Sequence, residues 1–119
     1  MKKYIALTLI FTCLSVQAQS DETKLILKKF GMIIGGHELN KKCNILNEKK
    51  TKEFDRYFKK SSQHISDLLI VAPKETNDYA RAIGQSSIKM IEDEKYSSCG
   101  KEAENLIEAA FETSKSWAK

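Results

Sequence analysis

Apolar residues recur every three or four positions along most of the chain beyond residue 24, which is the spacing of one face of an α-helix. Little competes with this pattern, because the chain has one proline, Pro73, and only five glycines. No internal repeat or low-complexity linker divides the sequence. We therefore predict an all-α fold built as a single domain.

The periodicity predicts four helices. The first begins after Ser20, a suitable N-cap, and carries apolar residues as far as Leu46. The other three are predicted at about residues 51–72, 74–94 and 99–117, with Ser97 or Ser98 capping the last and Pro73 ending the second or opening the third. Helices of this length with short connections favour a small antiparallel four-helix bundle.

The N-terminal segment has the layout of a secretory signal peptide. Lys2 and Lys3 precede an uncharged apolar run over residues 4–16, and small residues lead up to a cleavage site after Ala18. We expect a signal peptide at residues 1–18 and a mature domain at residues 19–119, without a transmembrane segment. The predicted location is the periplasm or the extracellular medium, and the sequence does not separate the two.

Cleavage would remove Cys13 and leave Cys43 and Cys99. Oxidising compartments favour disulfides, so we predict one internal bridge between them, the alternatives being an intermolecular bridge or two free thiols. In an antiparallel bundle, the end of the first helix and the start of the last meet at the same end. Such a bridge would stabilise the fold by roughly 4 kcal/mol in the chain-entropy model.

The sequence offers no catalytic motif. His37 and Glu38 begin a pattern typical of zinc proteases, but Lys41 stands where the second histidine is required. One histidine makes no metal site, so His37 is predicted to be packed or interfacial. We expect no enzyme activity, no metal and no cofactor. The formal net charge of +4 includes Lys2 and Lys3, which cleavage would remove. The mature domain is then too weakly basic to be predicted to bind nucleic acid.

Basic residues gather on the side of the second helix opposite its apolar stripe: Lys49, Lys52, Arg56, Lys59 and Lys60. The ordinary interpretation is a solvated helix face. The alternative is weak contact with an anionic surface of the cell envelope, such as phospholipid or lipopolysaccharide, or with an acidic partner.

The first helix is apolar around most of its circumference, although a helix in a bundle needs only one apolar stripe. We predict a partner or dimer surface near Ile34, Gly35, Gly36 and His37, where the two glycines would let another backbone approach. The competing interpretation is that this helix is central and its glycines serve internal packing.

The predicted function is that of a non-enzymatic periplasmic or secreted interaction protein, because apolar surface is in excess and no catalytic motif is present. The second hypothesis is a small-ligand carrier with a cavity between its helices, and an enzyme is third. A signal peptide followed by a helical domain with one disulfide resembles, in architecture alone, periplasmic immunity proteins, secretin pilotins and small acid-stress chaperones.

Overall fold

A computed structural model describes the backbone of residues 2–119 and the side chains of residues 21–119. Five helices form the described part, and it contains no strand, so the all-α prediction is confirmed. Their bounds are α1 Lys2–Cys43, α2 Glu48–Ile70, α3 Lys74–Met90, α4 Glu94–Ser97 and α5 Lys101–Trp117. The side chains on which the signal-peptide prediction rests, including Cys13, lie outside the described residues.

Helix α1 runs without interruption through Gly35 and Gly36. The prediction that it begins after Ser20 is wrong, because no proline or glycine precedes that serine to stop the helix. Its end is marked by Asn44, which adopts the left-handed conformation (φ 56°) and donates from its backbone N–H to Asn40 O at 2.7 Å. Asparagine tolerates this conformation better than most residues, so α1 ends before the predicted Leu46.

The connection between α1 and α2 is organised by the buried side chain of Asn40. Its Oδ1 accepts hydrogen bonds from the backbone N–H groups of Ile45 (3.1 Å) and Leu46 (3.0 Å). Its Nδ2 donates to Thr51 Oγ1 at 3.2 Å. Asn47 then caps α2 by accepting from Lys50 N at 2.8 Å, so α2 begins three residues before the predicted Thr51.

The third predicted helix, residues 74–94, is divided in the structure. Helix α3 ends at Met90, and the one-turn helix α4 begins after Asp93, whose side chain accepts from Lys95 N at 2.9 Å. This local cap competes with continuation of α3. The predicted serine cap of the last helix is also wrong, since Gly100 is the N-cap of α5.

Helix α1 packs against each of the other four helices, and α5 also packs against α2 and α4. The apolar stripes of α2 and α5 turn inward, as Phe54, Ile107 and Phe111 show. The buried cluster that joins the helices consists of Ile33, Leu39, Leu46, Phe54, Ile91, Ala103, Ile107, Ala110 and Phe111. The antiparallel four-helix arrangement itself stays a prediction.

Cys43, the last residue of α1, is joined to Cys99, which lies just before α5. Their Cα atoms are 5.3 Å apart, and they are separated by 56 positions in the sequence. The predicted internal pairing is therefore confirmed. An intramolecular disulfide is typical of proteins in oxidising compartments, which agrees with export.

Candidate functional site

His37 is packed inside the domain, with 8% of its surface exposed. Its ring stacks on Phe58 with centroids 4.1 Å apart and meets Phe54 edge-on at 5.1 Å. Its Nε2 donates to Asp55 Oδ1 at 2.8 Å, and its buried Nδ1 has no hydrogen-bond partner among the described residues. The histidine thus ties α1 to α2 by ring packing and one polar contact.

Of the residues predicted to bind a partner, Gly35, Gly36 and His37 are buried and Ile34 is half-buried. A Cβ at position 36 would overlap with Ala110 and lie 3.2 Å from Leu106 O. Gly36 is therefore used in packing against α5 within the chain, whereas Gly35 is buried but has room for a Cβ. A partner role for this region stays a prediction, and the surface that it offers is mainly that of Ile34.

The most exposed large apolar side chains of the described residues are Ile70 and Val71, at 77% and 84%. They stand at the end of α2, where the chain turns toward α3. Helical spacing assigns Leu68, Leu69 and Ala72 to the apolar stripe of this helix and leaves out Ile70 and Val71. The sequence does indicate that part of this segment is exposed. Four consecutive apolar residues, at positions 68 to 71, point in different directions around a helix and cannot all be buried.

A groove of about 460 Å³ opens beside Val71, between α1, the end of α2 and the start of α3. Lys24 Nζ lies 5.9 Å above the ring of Tyr79 at its wall. The groove is lined by Thr23, Lys24, Leu27, Leu68, Val71, Ala72, Pro73, Glu75, Thr76 and Tyr79. We call this groove together with the exposed Ile70 and Val71 the turn surface.

The turn that carries this surface is held by the side chain of Asn77. Its Nδ2 lies within hydrogen-bonding distance of three carbonyl oxygens, Leu69 O (3.2 Å), Pro73 O (3.3 Å) and Ala72 O (3.5 Å). Pro73 is the N-cap residue of α3, with φ of −61°. Because its backbone is fixed in this way, the turn presents Ile70 and Val71 at little additional entropic cost on binding.

No group of three histidine, cysteine, aspartate or glutamate side chains among residues 21–119 is arranged to hold a metal ion. At the position where a zinc-protease motif would need a histidine, Lys41 instead pairs with Glu38 at 3.1 Å. Within the described part of the chain, no helix combines the length and the hydropathy needed to cross a bilayer.

Comparison with protein-family models, with curated proteins and with solved structures gives no significant match to this chain.

Proposed function

We propose that the chain is an exported, non-enzymatic interaction protein that binds an apolar segment of a partner protein at the turn surface. The observation that carries this proposal is the exposure of two adjacent large apolar side chains, Ile70 and Val71, beside an open groove. Contiguous exposed apolar surface of this kind is typical of interaction sites.

A partner bound at the turn surface would remove the apolar side chains of Ile70 and Val71 from water. Full burial of an isoleucine or valine side chain contributes roughly 1.5–3 kcal/mol. Two such side chains contribute roughly 3–6 kcal/mol, whereas association costs about 4–15 kcal/mol, so a partner must also bind in the groove and on the surface around it. The groove would receive an apolar side chain of the partner while Ile70 and Val71 pack around it.

Export and architecture complete the proposal. We place the cleaved signal peptide at residues 1–18 and the mature domain, an antiparallel helical bundle, at residues 19–119. The disulfide between Cys43 and Cys99 supports an oxidising location. A partner in the periplasm or outside the cell would suit a domain of the immunity, pilotin or chaperone type, whose common feature is binding another protein.

The test is affinity capture of partners from the compartment to which the chain is exported. The wild type, Ile70→Ser, Val71→Ser and the control Ile88→Ser are compared, the control removing an apolar residue of α3 that is 39% exposed. We expect one partner to be captured by the wild type and the control and to be lost with either turn variant. Equal capture by all four proteins would refute the turn surface as the binding site. Light scattering identifies the case in which the partner is a second copy.

A small-ligand carrier is the second candidate, favoured by the volume of the groove. About 460 Å³ lies within the range of small-molecule sites, and most of the lining is apolar. Ala72→Phe would fill the groove, and the presence of a bound small molecule in the wild type separates this candidate from partner binding. Native mass spectrometry of the exported protein would show a bound small molecule that Ala72→Phe loses. The absence of such a molecule from the wild type would remove this candidate.

A further inference from the structure

The outer face of α2 carries a stripe of positive charge that the turn surface does not use. Five basic residues recur at helical spacing over about 17 Å of the helix, at 1.5 Å per residue. All five are exposed: Lys49, Lys52, Arg56, Lys59 and Lys60. We call this set the basic stripe.

Most of the basic stripe has no carboxylate partner. Among residues 21–119, the ion pair that involves it joins Lys52 to Glu48 at 3.4 Å on the exposed surface. Arg56 extends along the ring of Tyr57, with its Cζ 5.4 Å from the ring centroid. Nearby Asp55 is already engaged by His37. Most of the positive charge of the basic stripe is thus available to an anionic group outside the chain.

The same helical face continues to an apolar end. Gln63 and Asp67 follow at the next two positions of the face and bond to each other at 3.1 Å, and Ile70 follows them with 77% of its surface exposed. The basic stripe therefore spans about three turns of α2, and Gln63 and Asp67 separate it from Ile70 and the turn surface.

We infer that the basic stripe docks the protein on the phospholipid headgroups of an anionic membrane. Positive charge complements phosphate, and the straight stripe on one helix suits a flat surface better than a concave site. Helix α5, which packs beside α2, carries Glu108 and Glu112 at exposed positions and would be repelled. This contrast orients the domain, with α2 toward the lipid. The inference goes beyond the proposed function and does not depend on it.

The affinity for an anionic membrane can be anticipated from the contribution of each basic residue. One lysine or arginine close to an anionic surface strengthens binding by roughly fivefold, and the attraction is screened by salt. Removing three of the five charges should therefore weaken membrane binding by about 100-fold. Binding should also fall steeply between low salt and about 0.15 M salt.

The experiment is co-sedimentation of the protein purified after export, its N-terminus defined by intact mass, with two kinds of vesicle. One contains phosphatidylglycerol and phosphatidylcholine in equal parts, and the other phosphatidylcholine alone. The stripe variant is Arg56→Gln, Lys59→Gln, Lys60→Gln. The matched control is Arg81→Gln, Lys89→Gln, Lys115→Gln, which removes three exposed positive charges from α3 and α5.

We expect the wild type and the control to bind the anionic vesicles and the stripe variant to bind them with an affinity about 100-fold lower. None of the three proteins should bind vesicles of phosphatidylcholine alone. Equal losses in both triple variants would show a general effect of net charge and overturn the inference. So would failure of the wild type to bind, or equal binding to both kinds of vesicle. Capture of an acidic protein through the stripe without vesicle binding would assign this face to a protein and overturn it as well.

Discussion

Gly36 of α1 lies directly against Ala110 of α5, and the space between the two helices there does not admit a Cβ on residue 36. Ala110 is fully buried at this contact. The two helices approach closely because each contributes almost nothing beyond its backbone. A Cβ added to the second glycine of the pair, Gly35, would lie at ordinary contact distances of 3.5 Å from Ile91 and Met90.

The first prediction contrasts two glycines in helices. Gly36→Ala should destabilise the fold by about 1–3 kcal/mol, because the new methyl group forces α1 and α5 apart. Gly84→Ala should stabilise it by about 0.5–1 kcal/mol, since no atom lies within 4 Å of the added Cβ and alanine is the better helix former. Denaturant melts measure both. A stable Gly36→Ala protein would contradict the close contact with Ala110.

The second prediction concerns the aromatic core. Phe54 is fully buried and packs edge-on against Phe111 with centroids 5.8 Å apart. Phe54→Ala and Phe111→Ala should each cost about 3–5 kcal/mol. Phe58 is only half-buried, so Phe58→Ala should cost less than either. A change below about 1 kcal/mol for both core variants in denaturant melts would mean that α2 and α5 do not turn these faces inward.

The third prediction tests the connection between α1 and α2. Asn40→Ala should cost at least about 2 kcal/mol, because it leaves the backbone N–H groups of Ile45 and Leu46 without their acceptor. The control Asn47→Ala removes only an exposed cap and should cost about 1 kcal/mol. Both are measured by denaturant unfolding. If the two variants lose the same stability, the buried asparagine does not organise this connection.

The helical class and the disulfide could be predicted from the sequence, because both depend on regular spacing. Helical spacing assigns Phe54, Ile107 and Phe111 to the apolar faces of their helices, which are buried in the structure, and the predicted pairing of Cys43 with Cys99 is present. The exact ends of helices could not be predicted, since they depend on which side chain accepts a backbone hydrogen bond. Asp93, for example, begins a separate turn within a segment whose periodicity favoured one helix.

The candidate site was harder to predict than the fold. The pattern around Gly35 and Gly36 fits a partner surface and a central helix equally well, and only the position of α5 shows that Gly36 is used internally. The exposure of Val71 likewise depends on where α2 ends and on how the chain turns toward Pro73. Apolar spacing alone does not contain this information.

The fourth prediction concerns the covalent link. Intact mass of the purified protein should rise by two hydrogens on reduction, and reduction should lower the free energy of unfolding by about 4 kcal/mol, within a range of 2–5. The loss arises because the unfolded chain is no longer closed between Cys43 and Cys99. Two alkylatable thiols in freshly isolated protein would contradict the bridge.

The central claim, that the turn surface binds a partner protein, is tested most directly by site-specific photo-crosslinking in the producing cell. A photoreactive residue replaces Val71 in one protein and Ile88, which is exposed on α3, in the other. We expect a discrete crosslinked product from position 71, identified by mass spectrometry, and none of that product from position 88. No product from position 71, or the same product from both positions, would contradict the account.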